Sequence, residues 1–148
     1  MDSEKQVEGF LKKYTPEIAR QLREARAHLR DYLPRGYELV FDNYNALVFG
    51  YSPNEKSTGA IISIAGYPRW TTLFFLHGTQ LDDPDGLLEG AGKTVRSVRL
   101  QPFERLHSDP VHALLLQAMA LADFNTAPLL STMVKTAAQK QRSRRPEK

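Results

Sequence analysis

Much of this chain's polar chemistry gathers between Leu81 and Leu100, LDDPDGLLEGAGKTVRSVRL. Gly92-Lys93-Thr94 matches the close of a phosphate-binding loop, whose backbone amides and lysine hold phosphates where a helix begins. The spacing fails: five residues, not four, separate Gly86 from Gly92-Lys93, and the VRSVRL that follows has a strand pattern. Glu89 would also set a carboxylate beside the anion. A calcium loop fails in turn. Asp83, Asp85 and Gly86 fit its positions three, five and six, but Leu81 and Gly92 then occupy positions one and twelve, where side-chain ligands are required. The aspartates are expected to form a solvated turn around Pro84, and the glycines to let a long loop bend sharply.

The histidines are His28, His77, His107 and His112, and no two share a metal-ligand spacing. His28 lies off its helical stripe and is expected at the surface. His77 ends a strand beside Gly78, where it can cap the strand or line a pocket. There is no cysteine, hence no thiolate chemistry, and no G-x-S-x-G elbow. These residues define no catalytic group, no cofactor and no metal site. Five others are candidate ligand contacts: Lys93, Arg96, Trp70, Tyr44 and His77. Trp70 and Tyr44 lie among turn formers, and Trp70 stands beside Arg69, where an aromatic and a cation can stack a ligand. Alternation puts Arg96 on the same strand face as Val98 and Leu100, so it must find a partner. Glu38 and Glu104 are structural choices; with Lys93, Arg96 would instead floor a small anion site.

The elements that position these residues follow from periodicity. Ser3 with Gln6 forms a capping-box pattern, and Val7, Phe10, Leu11 and Tyr14 share a helical face, predicting a helix over 4–14. Thr15 and Pro16 restart the chain as N-cap and first helical residue. Ile18, Leu22, Ala25, Leu29 and Leu33 form an apolar stripe, with Arg20, Arg23, Arg26 and Arg30 mostly off it. Pro34 and Gly36 end this helix. Strands are expected over 37–41, 46–51, 60–65, 71–77 and 94–100. Connections among the first four are too short for parallel crossovers, so an antiparallel meander follows. Asp109 is the expected N-cap of a helix carrying Val111, Leu114, Leu115 and Ala118. Leu129, Leu130, Met133 and Val134 suggest a last helical piece.

The chain has 148 residues and ordinary globular composition, enough for one domain. No apolar run approaches the roughly 20 residues a membrane helix needs, and the polar N-terminus holds no signal sequence, so a cytoplasmic location without membrane association is expected. The net charge of +3 hides an asymmetry. Residues from Lys135 onward hold six basic side chains and one acid, a net +5, leaving 14 basic and 16 acidic residues in the body, a net −2. The tail, with Arg142, Arg144 and Arg145, is expected to be a partly disordered extension that can attract nucleic-acid backbones. The overall expectation is an α+β domain over 1–125, with about five antiparallel strands packed on N- and C-terminal helices, followed by a helical extension and basic tail over 126–148. Free sheet edges would allow a homodimer.

LDDPDGLLEGAGKTVRSVRL resembles the pattern L-x-D-P-x-G-L-L-E-G-x-G-K-x-x-R-x-x-R/K-L of YdhG-like domains, a family of unknown function with frataxin-like character. YELVFDNYNALVFGYSP and GYPRWTTLFFLHG resemble that family's strands and hairpin, and the likeness spans Val7 to Ala122. The resemblance implies a compact antiparallel α+β domain. It also implies, through some relatives, an intracellular iron-chaperone role, which calls for massed carboxylates. Ser3 to Leu33 instead holds five acids against seven basic residues. The expected function is therefore a cytoplasmic, non-enzymatic binding domain for an unidentified small ligand or protein, with iron handling and tail-mediated nucleic-acid association as alternatives.

Overall fold

The computed structural model describes residues 2–146. Its helices are α1 (Ser3–Leu11), α2 (Pro16–Tyr32) and α3 (Asp109–Met119). Its strands are β1 (Tyr37–Asp42), β2 (Leu47–Ser52), β3 (Ile62–Gly66), β4 (Thr71–Phe75), β5 (Arg96–Leu100) and β6 (Ser131–Ala137). One sheet results, in the order β5-β4-β3-β2-β1-β6. The first five strands form an antiparallel meander; the turns among the first four are too short for parallel crossovers, and the longer loop 76–95 returns the chain to pair β5 with β4. Among the described residues no helix is long and apolar enough to cross a membrane.

The C-terminal segment departs from expectation. Met133 and Val134 belong to a sixth strand, not to a helix, and β6 runs parallel to β1 at the sheet edge. Its STMVKTA sequence carries two threonines and a valine, which favour the pleated surface. The spacing of Leu129, Leu130, Met133 and Val134 fits a helix as well as a strand, and the open edge of β1 decides between them. The boundary at 125/126 is thereby corrected, since β6 completes the sheet that begins with β1. The free edges of that sheet are β5 and β6. Loop residue Glu89 already blunts the β5 edge by exchanging backbone hydrogen bonds with Ser97 at 2.8 and 2.9 Å.

α1 stops at Leu11, and its N-cap is Asp2 in place of Ser3. α2 starts as expected, with Thr15 Oγ1 accepting the Ile18 N–H. α3 is preceded by Ser108 as N-cap, with Asp109 in the first turn. The core joins Val7, Leu11, Leu22, Leu29, Val111 and Leu115 of the helices to Val40, Leu47, Phe49, Ile62, Ile64, Leu73 and Val98 of the strands. In β1 to β5 these strand residues share one face by register and alternation. Tyr14 pins the α1–α2 junction to that sheet. Its hydroxyl donates to Gly66 O at 2.7 Å and accepts the Leu47 N–H at 3.0 Å; burial pushes it up to a pKa of about 12. Gly36 adopts φ +100°, and a side chain there would run into the Ser52 carbonyl, so the entry to β1 requires glycine.

Candidate functional site

The five candidate ligand contacts do not form one site. Register places the β1–β2 and β3–β4 turns at one end of the sheet and the start of β5 at the other. Tyr44 and Trp70 therefore stand at the turn end, while His77, Lys93 and Arg96 stand at the loop end. Arg96 does face the packed side, half-buried, but neither expected glutamate reaches it. Its Nη1 donates to the carbonyls of Gly92 at 2.6 Å and Val95 at 2.7 Å, so it ties down its own loop. Gly78 has no side chain to obstruct the Arg96 stem that lies against it. Lys93 is exposed, with its carbonyl accepting from Thr79 Oγ1. His77 lines a narrow apolar gap with Phe75, Leu81 and Leu121. Asp83 is more than a solvated turn residue: its carboxylate accepts the N–H groups of Leu87 and Leu88, both at 2.9 Å. The loop thus folds on itself. The 180 Å³ cleft between it and α3 is lined by Asp82, Asp83 and Asp85 and by no cation.

Glu38 is taken by other arginines. It is fully buried on β1 and receives Arg26 Nε at 2.9 Å and Arg26 Nη2 at 2.8 Å, Arg30 Nη2 at 2.6 Å, the Tyr51 hydroxyl at 2.7 Å and the Thr132 hydroxyl at 2.8 Å. Arg26 also donates to Glu4 of α1. Burial opposes the Glu38 charge, but these donors outweigh it and hold the carboxyl at a pKa of about 2. The network joins both N-terminal helices to three strands. Four of the five acids of Ser3 to Leu33 are engaged as well: Glu4 with Arg26, Glu8 with Arg23, and Glu17 and Glu24 with Arg20. Among the described residues, no three His, Asp or Glu side chains are placed to hold a metal ion.

Three histidines distant in sequence meet where α2, the 3₁₀ turn Phe103–His107 and α3 adjoin. The rings of His28 and His107 lie 4.5 Å apart edge to face, His112 Nδ1 contacts the Tyr32 hydroxyl, and His107 Nε2 lies 2.7 Å from a Glu24 oxygen. His28 is half-buried, contrary to expectation, and its Nε2 is enclosed without a hydrogen-bond partner. Burial, reinforced by His107 and His112 and opposed by Asp31 and Glu24, holds His28 below the ordinary histidine pKa. The stability carried by the neutral ring is therefore complete above about pH 6.5 and is lost as the pH falls below it, where the unfolded chain binds the proton more readily. The urea midpoint is expected to drop between about pH 7.5 and 5.5, and His28→Gln to flatten that slope. An unchanged slope in the variant would place the pH dependence elsewhere.

At the turn end the basic tail is not a frayed extension. Arg144 is 4% exposed and donates through Nη2 to Asp42 Oδ1 at 2.9 Å and to Asn43 O at 2.6 Å, and through Nη1 to Tyr44 O at 3.3 Å. Lys13 donates to the other Asp42 oxygen at 2.7 Å, and Gln141 bridges Lys13 Nζ and Asp42 O. Arg145 reaches the carbonyls of Lys12 and Lys13 beyond the end of α1. Arg144 is therefore consumed by the fold and leaves the list of candidate nucleic-acid contacts. Arg142 remains outside, its backbone N–H on Tyr44 O at 2.8 Å and its guanidinium over the Tyr44 ring.

This anchoring creates two adjoining clefts. One, of about 560 Å³, is lined by Pro68, Arg69, Arg142, Ser143, Arg145 and Pro146. The other, of about 380 Å³, is lined by Asn45, Tyr67, Pro68, Arg142 and Ser143. Arg99 lies over Trp70, its guanidinium carbon 3.8 Å from the ring centroid. Among the described residues, no carboxylate lies within 4 Å of Arg69, Arg99, Arg142 or Arg145, whereas every arginine of α2 is paired. Sequence reasoning had Trp70, Tyr44 and the tail arginines as separate features; Asp42, which joins them, was read only as a turn former. A larger opening, about 680 Å³, lies elsewhere, between α2 and the end of α3. Its polar groups serve the fold, with Arg35 Nε on Ala127 O and the Asp123 carboxylate on Asn125 and Thr126.

No family model, curated protein or solved structure matches this chain.

Proposed function

We propose that this chain is a non-enzymatic, cytoplasmic binding domain of the YdhG-like type that holds phosphate-bearing anions at the turn end of its sheet. The observation that carries this reading is a cluster of arginines without a carboxylate partner among the described residues. Arg69, Arg142 and Arg145 line one cleft and Arg99 lies over Trp70, with no carboxylate within 4 Å of any of them among the described residues, while each arginine of α2 is paired with a carboxylate of α1, α2 or β1. Guanidinium groups match phosphate oxygens with planar, paired donors, and clefts with no acid among their described lining residues leave an incoming anion little repulsion to overcome. Asp42 does not oppose binding, because Lys13 and Arg144 both neutralise it. Iron delivery gains no comparable support, since four of the five acids of the N-terminal helices are already paired.

Inorganic polyphosphate is the direct probe. Calorimetric titration at low salt is expected to show saturable binding that weakens as salt rises, because counterions are released on binding. Arg69→Ala with Arg142→Ala should reduce that affinity about tenfold or more, since charged hydrogen bonds contribute about 1.5–3 kcal/mol each. Saturable binding that the double variant leaves unchanged would place the site elsewhere, and no binding at all would end the reading.

A further inference from the structure

The helices pack on one face of the sheet; on the opposite face Ala60 lies against Gly50, and Leu39, Ala65 and Thr72 are buried, so that face is only partly open, and its composition is selective. Register builds a row across five strands from Phe41 through Val48, Ala65 and Thr72 to Arg99, with Thr136 of β6 beside Phe41. The next row holds Met133, Leu39, Gly50, Ser63, Phe74 and Ser97. Phe41, Val48, Phe74 and Met133 are all half-buried and stand outside the packed core. The two acids in the strands, Glu38 and Asp42, both point to the helices instead. Arg99 is exposed at the β5 side of this face, where its guanidinium lies on Trp70 and gives a flat cationic surface backed by an indole. Trp70 is joined directly to Arg69 of the basic cleft.

We infer that this face binds single-stranded nucleic acid, with phosphates on Arg69, Arg142 and Arg145 and bases stacked on the Arg99–Trp70 pair and Phe74. The inference rests on the anion-binding reading above and names the ligand class. A sheet face with half-buried aromatics bordered by arginines supplies what unpaired bases require: flat apolar or cationic planes beside a positive track for the backbone. Thr72 separates Trp70 from Phe74 along the chain, and a strand rise of about 3.3 Å per residue puts the two aromatics about 13 Å apart, room for successive unstacked bases. A duplex keeps its bases stacked inside, and the described face presents no helix or ribbon to enter a groove. A small phosphate compound would need the cleft alone and would leave the aromatics unused.

Trp70 is the sole tryptophan of the chain, so its emission reports the site directly. Oligo(dT) is titrated against polyphosphate of matched charge and against a duplex of equal length. Oligo(dT) is expected to quench Trp70 and to bind at least tenfold more tightly than either competitor, since stacking adds to the phosphate contacts. Phe74→Leu and Arg99→Gln should each weaken oligo(dT) binding about tenfold, and Phe74→Leu, which removes no charge, should leave polyphosphate affinity within about twofold. Circular dichroism confirms that each variant is folded, and Phe74→Leu keeps the apolar contact while losing the ring. If oligo(dT) binds no better than polyphosphate and neither variant matters, the stacking inference falls while the anion reading stands. If neither polymer binds, both fall. A dimer in sedimentation that Phe74→Leu weakens, with no Trp70 response to oligo(dT), would make the face a self-interface and overturn the inference.

Discussion

Glu38→Ala is expected to destabilise the protein by about 3–5 kcal/mol, the cost of leaving a buried charge without its partner. Arg26 is the charge in question: it is 8% exposed and directs Nε and Nη2 at Glu38, with Phe49 beneath the guanidinium. Glu4 alone would remain to it, and Glu4 is exposed. Tyr51 and Thr132 would lose their acceptor in the same step. Equilibrium urea unfolding followed by far-UV circular dichroism reads the effect. A loss below about 1 kcal/mol would show that water or Glu4 replaces the carboxylate. Glu38→Leu combined with Arg26→Met should recover most of the loss, because apolar groups of similar volume can replace a buried ion pair at little cost. The same carboxylate sets an acid limit. Its folded pKa of about 2 lies below the ordinary glutamate value of 4.5, so its contribution is complete above pH 4.5 and is lost as the pH falls toward 2. With about 1.4 kcal/mol per pKa unit, that contribution is on the order of 3 kcal/mol. Glu38→Gln should remove this part of the acid slope.

Glu38 also marks where sequence reasoning stops. The strands, the stripe of α2 and the antiparallel order were legible because alternation, helical spacing and short turns are local properties. Ion pairing is not local. Arg26 lies between Ala25 and Leu29 of the stripe, and its sequence neighbours give no sign that its partner is twelve residues on, across the helix–sheet interface. Arg96 was singled out correctly as a cation on the packed face, yet its acceptors are carbonyls of its own loop, and composition records no carbonyls. The helical reading of Leu129 to Val134 failed for a similar reason. The segment is ambiguous alone, and the vacant β1 edge that selects a strand is formed ninety residues earlier. Histidine spacing could not show that three of the rings meet, because they come from separate elements. The candidate surface was half legible. Trp70, Tyr44, Arg142 and Arg145 were each chosen for sound chemical reasons, while their adjacency depends on one aspartate at the end of β1.

That aspartate gives the second large effect. Asp42→Ala is expected to cost about 3–5 kcal/mol, since Arg144 would be left buried with backbone carbonyls as its acceptors. Burial works against the Asp42 charge, but Lys13, Gln141 and Arg144 together lower its pKa below the ordinary aspartate value. The two cationic partners are not equivalent. Lys13 is 42% exposed in its side chain, so Lys13→Ala should cost no more than about 1 kcal/mol. Arg144 is enclosed, and its contacts set the path of the tail past the β1–β2 turn. Loss of Asp42 should therefore release Arg142 and Arg145 from their places beside Arg69. The expected signature couples stability to binding. Asp42→Asn, the milder variant, should expose the tail to trypsin at least tenfold faster under native conditions and weaken polyphosphate binding, although Asp42 touches no ligand and its removal makes the protein more positive. Simple electrostatics predicts the opposite sign, tighter anion binding after loss of a negative charge. Tighter binding with an unchanged tryptic rate would show that the tail holds its place without Asp42; weaker binding with faster cleavage would show that the fold builds its anion site by anchoring the tail through one buried ion pair.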